Sequence, residues 1–256
     1  MPIKTDLNEK ISAIPLFAEH RLAWVGRTGS TNDDLKSAAE KGDFSLIRVA
    51  DFQSSGRGQF DRKWEAEPDA SLMFSFSFVL DLASSFPISL LAGLAVLKAL
   101  KVESKSNRIW LKWPNDIYAG RKKLGGILVE NLCFAKRQVA IVGIGINFKP
   151  ALKVDDAISL EEIGCSFTKE ALLVAILSEF SSLRELDSQT LLQQWADGAG
   201  DFWNSEFIFK DPTTGREKVV RPVDIFADGS LKLKVENAEE LKINSGRLVL
   251  AKHRAA

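Results

Sequence analysis

Between Leu72 and Phe78 the chain reads Leu-Met-Phe-Ser-Phe-Ser-Phe, large apolar and small polar side chains alternating at a period of two. Side chains alternate across a strand, so this run marks a strand with one buried face, and its phenylalanines require a covering layer. The flanking sequence supplies further strands and the helices to cover them. Leu46–Gln53 reads as a buried strand, and 108–113, 126–132 and 138–148 as three more, with a hairpin turn at Ala119-Gly120-Arg121-Lys122. Residues 31–41 read as a short helix with Thr31 and Asp34 spaced as a capping box and Gly42 closing it. Pro87 opens an apolar helix through Leu100. Thr168 caps a long helix over 169–186, with Ala171, Val174, Leu177 and Phe180 on one face, and 191–196 forms a shorter one. The fold class is therefore α+β, a mixed sheet flanked by helices.

After Asn204 the pattern changes. Runs at 207–209, 219–226, 231–235, 240–243 and 248–251 are short and strand-like, separated by Asp211-Pro212-Thr213-Thr214-Gly215, Asp228-Gly229 and Ser245-Gly246. The expected division is a main domain over 1–205 and a small β domain over 206–256. About fifty residues lie near the lower limit for independent folding, so the small domain is expected to lean on the large one.

Charge and composition exclude several classes of function. The 256 residues carry 34 basic and 34 acidic side chains, and no basic surplus of the kind that nucleic-acid phosphates demand. Residues 206–256 hold ten basic and eight acidic side chains, so no polycationic half is hidden in the sum. The N-terminus lacks an apolar export segment, and the most apolar run, Ile88–Leu100, is interrupted by Lys98 and too short to span a bilayer. Cys133 and Cys165, without partners or a nearby histidine, read as reduced thiols of a cytoplasmic protein; no metal site is expected. His20 and His253 lie at opposite ends, leaving lysine, arginine and carboxylates for any acid–base chemistry.

Four segments are unusual for plain structure. Gln53-Ser54-Ser55-Gly56-Arg57-Gly58-Gln59-Phe60-Asp61-Arg62-Lys63-Trp64 is a glycine-relaxed basic loop in which Arg57 and Arg62 can grip phosphate or carboxylate; a solvated surface loop is the alternative. Lys112-Trp113-Pro114-Asn115-Asp116 delivers a lysine from an apolar strand, costly to bury unless Asp116 or an anionic ligand pairs with it. Lys122-Lys123-Leu124-Gly125-Gly126-Ile127-Leu128-Val129-Glu130 sets lysines against two glycines at the mouth of an apolar strand, where the glycines permit close backbone approach, though a charged hairpin end explains it equally well. In Val142-Gly143-Ile144-Gly145-Ile146-Asn147 both glycines and Asn147 share one strand face. That face is either a flat floor for a ligand or a tight packing surface. Together they suggest one site, with an apolar floor, a basic lid and two strand-borne lysines. Such a site suits a small apolar acid meeting a nucleotide phosphate.

In these segments, together with Gly29-Ser30-Thr31-Asn32, the sequence resembles the biotin protein ligases; the motifs occur in the family's order, from about residue 22 to the end. The resemblance implies a biotin/lipoate ligase-like catalytic domain followed by an SH3-like β-barrel domain. It implies an activity in which ATP, with magnesium, converts biotin to biotinyl-5'-AMP, and a lysine of a biotin carboxyl carrier protein domain then takes the biotinyl group. By the same resemblance Ser30, Thr31, Asn32 and Gln53 contact the biotin rings, and Gly143 and Gly145 line that pocket. Gly56, Arg57, Gly58 and Gln59 belong to the loop that closes over the adenylate, and Trp64 packs there. Lys123, beside Gly126, holds the biotin carboxylate and α-phosphate. Lys112, Asn115 and Asp116 stand near the phosphates, with Arg62 and Asn147 on the nucleotide side. Lys123, Arg57, Lys112 and Asp116 are the expected catalytic group, Asp116 either as a base or as an orienter of Lys112.

One departure is clear. Many relatives read Gly-Arg-Gly-Arg followed by Gly-Arg, whereas here Gln59 replaces a cation and Asp61 a glycine. A neutral donor is worth less than a charged one by about 1 kcal/mol. The roughly 29 residues before Ser30 are too few for a separate DNA-binding winged helix, so a ligase without repressor function is expected. Two rivals stand beside this reading: a lipoate- or octanoate-transferring ligase of the same fold family, and a biotin- or nucleotide-binding module without transfer activity. No interface signal separates monomer from homodimer.

Overall fold

A computed structural model of the chain describes residues 2–59, 62–80, 86–101, 109–134, 137–150, 156–211, 214–236 and 239–251. Phe60, Asp61, Arg108, Pro212, Thr213 and His253, which figure in the sequence reading, lie outside the described residues. Seven strands form the main sheet: β1 (Arg21–Val25), β2 (Leu46–Ala50), β3 (Ser71–Val79), β4 (Ile109–Lys112), β5 (Asp116–Ala119), β6 (Lys122–Phe134) and β7 (Arg137–Asn147). Their order is β1-β2-β3-β7-β6-β5-β4, with β1 and β2 parallel and every other neighbour antiparallel. The helices are α1 (Pro2–Ser12), α2 (Thr31–Glu40), α3 (Ile88–Lys101), α4 (Lys169–Leu183) and α5 (Ser188–Ala199).

The alternating strand is buried on both faces, not one. Phe74, Phe76 and Phe78 enter the main core, where Phe76 and Phe180 of α4 meet edge to face with centroids 4.8 Å apart. The serines are also inaccessible, because α2 covers their side and each hydroxyl finds a partner. Ser77 donates to Phe44 O at 3.0 Å, and Ser75 reaches α2. Burial of small polar groups costs little once they are hydrogen-bonded, so serine misreads here as exposure.

Other expectations shift in detail. Ser30, not Thr31, is the N-cap of α2; the Thr31 side chain is spent on Gln53 and the Asp34 carboxylate on Thr28, so no capping box forms. Asp116–Ala119 is an additional strand, so the expected hairpin joins β5 to β6. The buried face of α4 runs through Leu172, Leu173, Ile176, Leu177 and Phe180, with Ala171 exposed; Thr168 caps it as expected, accepting from Ala171 N at 3.1 Å.

The second sheet contains β8 (Phe207–Lys210), β9 (Glu217–Ile225), β10 (Leu231–Val235), β11 (Glu240–Ile243) and β12 (Arg247–Leu250), antiparallel in the order β11-β10-β9-β8-β12. It leans on the first through one shared core that includes Phe202, Phe207 and Leu231. Buried Trp113 donates its Nε1–H to Gly229 O at 2.8 Å. Gly229 has φ of 78°, and a Cβ there would sit 2.3 Å from Pro87 Cγ, so the junction requires glycine.

His20 sits beside Phe17 and gives one ring proton to Ser77 O, with Nε2 2.7 Å away, while its buried Nδ1 has no partner. Burial lowers its pKa from the ordinary 6.5, against the opposing pull of the Ser77 carbonyl and Asp43. The unfolded chain therefore takes up this proton more readily than the folded one. Stability should hold above pH 6.5 and fall as acid is added below it. Urea midpoints at pH 7.5 and 5.5 should differ less in His20→Gln than in the wild type.

Candidate functional site

The first turn of α2 and the strand ends of β6 and β7 border an open cleft. Ser30, Thr31, Asn32 and Gln53 line one end; Arg57, Gly58 and Gln59 line the rim; Gly126, Gly143 and Gly145 form the floor. The polar end is preorganised. Gln53 Oε1 accepts from Thr31 N at 2.7 Å and from the Thr31 hydroxyl at 3.0 Å. Ser75 Oγ lies 2.7 Å from Thr31 Oγ1 and 2.6 Å from Asn32 Oδ1. Fixed amides and hydroxyls at the end of an apolar slot are the means to recognise a planar polar group.

The two strand glycines act through close approach. A Cβ on Gly143 would stand 2.2 Å from Asn32 Oδ1, and one on Gly145 would stand 2.6 Å from Trp64 Cζ2. The floor is thus where α2 and the indole of Trp64 settle on the sheet. The Trp64 indole Nε1 is buried without a hydrogen-bond partner. Gly56 has a comparable task, since a Cβ there would meet Trp64 O at 2.8 Å. The loop doubles back on itself, with Trp64 N donating to Gly56 O at 2.9 Å and Gly58 N to Arg62 O at 2.7 Å.

A second, larger cleft opens toward the C-terminal sheet, and Arg62, Lys63, Trp64 and Lys123 line both. Among its described lining residues, basic side chains (Arg62, Lys63, Lys112, Arg121, Lys122, Lys123, Arg247) outnumber acidic ones (Glu65, Asp116, Asp156). At its base lies Asp116, buried between Lys123 Nζ at 2.5 Å and Lys112 Nζ at 3.1 Å. Burial pushes the Asp116 carboxyl up, but the two ammonium groups outweigh it and hold the pKa at about 2. Burial dominates at Lys112 and lowers its pKa, with Asp116 opposing. Lys123, the more exposed of the two lysines and a lining residue of both clefts, is the cation placed to meet an anion there.

The structure therefore brings the sequence-predicted residues together around two joined clefts, with differing occupations. Lys112 has the partner that its burial demands. Asn115 is used in the framework, donating to Ile127 O at 2.6 Å. Asn147 clamps the backbone, with Nδ2 3.1 Å from Ile158 O and 3.3 Å from Lys123 O, and also borders the second cleft. Arg57 is paired with Asp33 and with Glu130, the latter at 3.2 Å. Arg62 donates from Nε to Gln59 O at 3.2 Å. Ser75, Glu130, Lys36 and Arg247 were not among the expected site residues, although Glu130 closes the lysine–glycine segment. The serine–phenylalanine alternation held the signal for Ser75, whose face points away from the apolar core.

Among proteins of known function and structure, residues 25–147 match the Biotin/lipoate A/B protein ligase family. The chain is 34% identical over 180 residues to the Biotin--[acetyl-CoA-carboxylase] ligase of Mycobacterium tuberculosis (strain ATCC 25618 / H37Rv), covering 67% of this chain and 64% of that protein. It is 30% identical over 150 residues to the Bifunctional ligase/repressor BirA of Escherichia coli (strain K12), covering 55% of this chain and 46% of the relative. The chain thus spans less than two thirds of these relatives' lengths. The structure is similar to that of the biotin protein ligase from Aquifex aeolicus in complex with biotin and ATP, with TM-score 0.72 and 26% identity, over 91% of this chain and 99% of that one.

Removing the shared carboxylate strands the buried Lys112 and leaves Lys123 without its partner. Asp116→Ala should lower unfolding free energy by about 3–5 kcal/mol, read by urea denaturation. Because the folded pKa is depressed, the wild-type contribution is complete above the ordinary 3.8 and is lost only as pH falls toward about 2.

Proposed function

This chain belongs to the biotin protein ligase family, and on that premise we propose that it activates biotin with ATP and transfers it to a carrier lysine. The observation that carries the reading is the junction of the two clefts at Lys123 and Trp64. The first cleft, with its fixed amides and hydroxyls at one end, takes the ureido ring and places the biotin carboxylate beside Lys123. The basic cleft takes the nucleotide. The carboxylate oxygen attacks the α-phosphorus, forming the biotinyl-5'-AMP anhydride and expelling pyrophosphate. In the second step the amine of a lysine on a biotin carboxyl carrier domain attacks the acyl carbon. The C–O bond to phosphate breaks, AMP departs and the amine proton passes to solvent or phosphate.

Lys123 and Lys112 supply positive charge where negative charge builds up on the phosphate oxygens, preset before the ligand arrives. Asp116 is assigned the orienting role. A carboxylate held at a pKa of about 2 is a poor proton acceptor, but it fixes both ammonium groups. Arg57 and Arg62 belong to the lid that shields the anhydride from water. Magnesium enters with the triphosphate of ATP; among the described residues no group of three or more His, Cys, Asp or Glu side chains gathers to cage a metal. In this reading residues 1–205 perform the chemistry, and 206–256 complete the nucleotide cleft through Arg247. No helix among the described residues is long and apolar enough to cross a membrane, and both free thiols fit a cytoplasmic setting.

The test is mass spectrometry of a biotin carrier domain incubated with the protein, ATP and either biotin or lipoate. A biotin-sized gain on one lysine is expected; a lipoyl gain, or none, would refute this reading. Lys123→Ala should abolish pyrophosphate release with biotin while keeping the fold, since Lys112 still partners Asp116. Normal release from that variant would remove Lys123 from the mechanism. Arg57→Ala should let more adenylate escape before transfer, as measured by trapping free biotinyl-adenylate with an added amine.

A further inference from the structure

Glu130 lies on β6 where three side chains converge: Lys36 Nζ at 2.6 Å, Asn32 Nδ2 at 2.8 Å and Arg57 Nη2 at 3.2 Å. Two of these come from α2 and the third from the loop between Gln53 and Trp64. A carboxylate only accepts, so the Asn32 amide must turn its nitrogen toward Glu130 and its oxygen toward Ser75. The single proton of the Ser75 hydroxyl then has two acceptors within reach, Asn32 Oδ1 and Thr31 Oγ1, at 2.6 and 2.7 Å. Thr31 passes its own proton to Gln53 Oε1, which leaves the Gln53 amino group directed toward Met73. The orientation of the Asn32 amide at the cleft's polar end is thereby set by a charge at the end of the chain.

The same carboxylate seats the loop. Arg57 rests between Glu130 and Asp33, and Asp33 is the residue after Asn32. Lys36 and Arg57 balance Asp33 and Glu130, so the cluster is neutral while both carboxylates are charged. Burial pushes the Glu130 carboxyl up, yet the hydrogen bonds from Lys36 and Asn32 and the charges of Lys36 and Arg57 hold it below the ordinary glutamate range.

We propose that Glu130 is a positioning residue for the ligase reaction, orienting the ring-recognition groups through Asn32 and docking the lid arginine Arg57 with the same carboxylate. The proposal rests on the biotin ligase reading given above. Neither role requires contact with a reacting atom.

Two variants separate the roles. Glu130→Gln keeps an oxygen that can accept from Asn32 but surrenders one of the two charges that hold Arg57. Glu130→Ala surrenders both. Three measurements apply: KM for biotin and kcat in pyrophosphate release; the fraction of adenylate released before transfer; and the rate of trypsin cleavage after Arg57, Arg62 and Lys63 without ligands. For Glu130→Gln, biotin KM should stay within about threefold of wild type, while adenylate release and loop cleavage should rise about fivefold or more. In Glu130→Ala, biotin KM should also rise about tenfold, with kcat less affected. Circular dichroism checks the fold; should the alanine variant unfold, the glutamine variant alone decides the docking role. Wild-type loop cleavage in Glu130→Gln would overturn that role. Equal biotin KM in the wild type and a folded Glu130→Ala, or equally raised KM in both variants, would overturn the orienting role. If the wild type forms no biotinyl-adenylate, the functional reading fails, whereas the loop-cleavage comparison still reports on the Arg57 seat.

Discussion

A carboxylate buried between two lysines is the contact on which the site and its sheet both depend. Desolvating an ammonium or carboxylate costs several kcal/mol, recovered only when the partner stands in good geometry. Antiparallel pairing supplies it: Lys112 on β4 lies directly opposite Asp116 on β5, and Gly126 on β6 lies opposite Asp116 on its other side. Lys123 then folds over Gly126, where a Cβ would come within 3.1 Å of its Nζ. The glycine thus clears the path by which the second lysine reaches the same carboxylate. Register, charge pairing and the placing of Lys123 at the junction of the clefts are one feature of the molecule.

The first cleft depends on a different economy of space. β7 gives up two side chains, and in exchange the Asn32 amide and the Trp64 indole lie flat against its backbone. Glycine inside a strand weakens it by roughly 0.5–1 kcal/mol relative to alanine. Here both positions sit in the middle of the sheet, paired on each side with β3 and β6, so the neighbouring ladders sustain the strand. The weakness is placed where the sheet can best tolerate it.

This division explains what the amino-acid sequence disclosed. A lysine in an apolar strand with an aspartate four residues on announces a buried pair, because few other arrangements are tolerable; Lys112 and Asp116 were legible for that reason. Strand glycines at a spacing of two disclose a bare face, though not whether helix, ring or ligand covers it. Period two likewise shows that Ser75 and Phe76 point apart, yet it is silent on α2 covering the serine side. Thr31 resembled a local helix cap because the competing acceptor, Gln53, is twenty-two residues away. Glu130 was least legible, since all three of its partners are distant in the chain. Local chemistry can be read from spacing, while long-range polar pairing needs the fold.

The lid shows how these parts meet in the proposed reaction. Arg57 is already neutralised by two carboxylates, and exposed ion pairs of this kind contribute about 1 kcal/mol or less. An arriving phosphate offers a charge-assisted contact worth roughly 1.5–3 kcal/mol, enough to draw the guanidinium from its seat. Closure is then an exchange of partners, and its strength is a difference between two modest terms. Gln59 enters that difference directly. Where the resemblance to the biotin protein ligases leads one to expect a cation, this loop offers a neutral donor, and a deficit of about 1 kcal/mol would correspond to roughly fivefold in residence of the proposed intermediate. A lid with one fewer cation relies more heavily on Arg57 and Arg62, and therefore on how firmly Glu130 and Asp33 compete for the first of them.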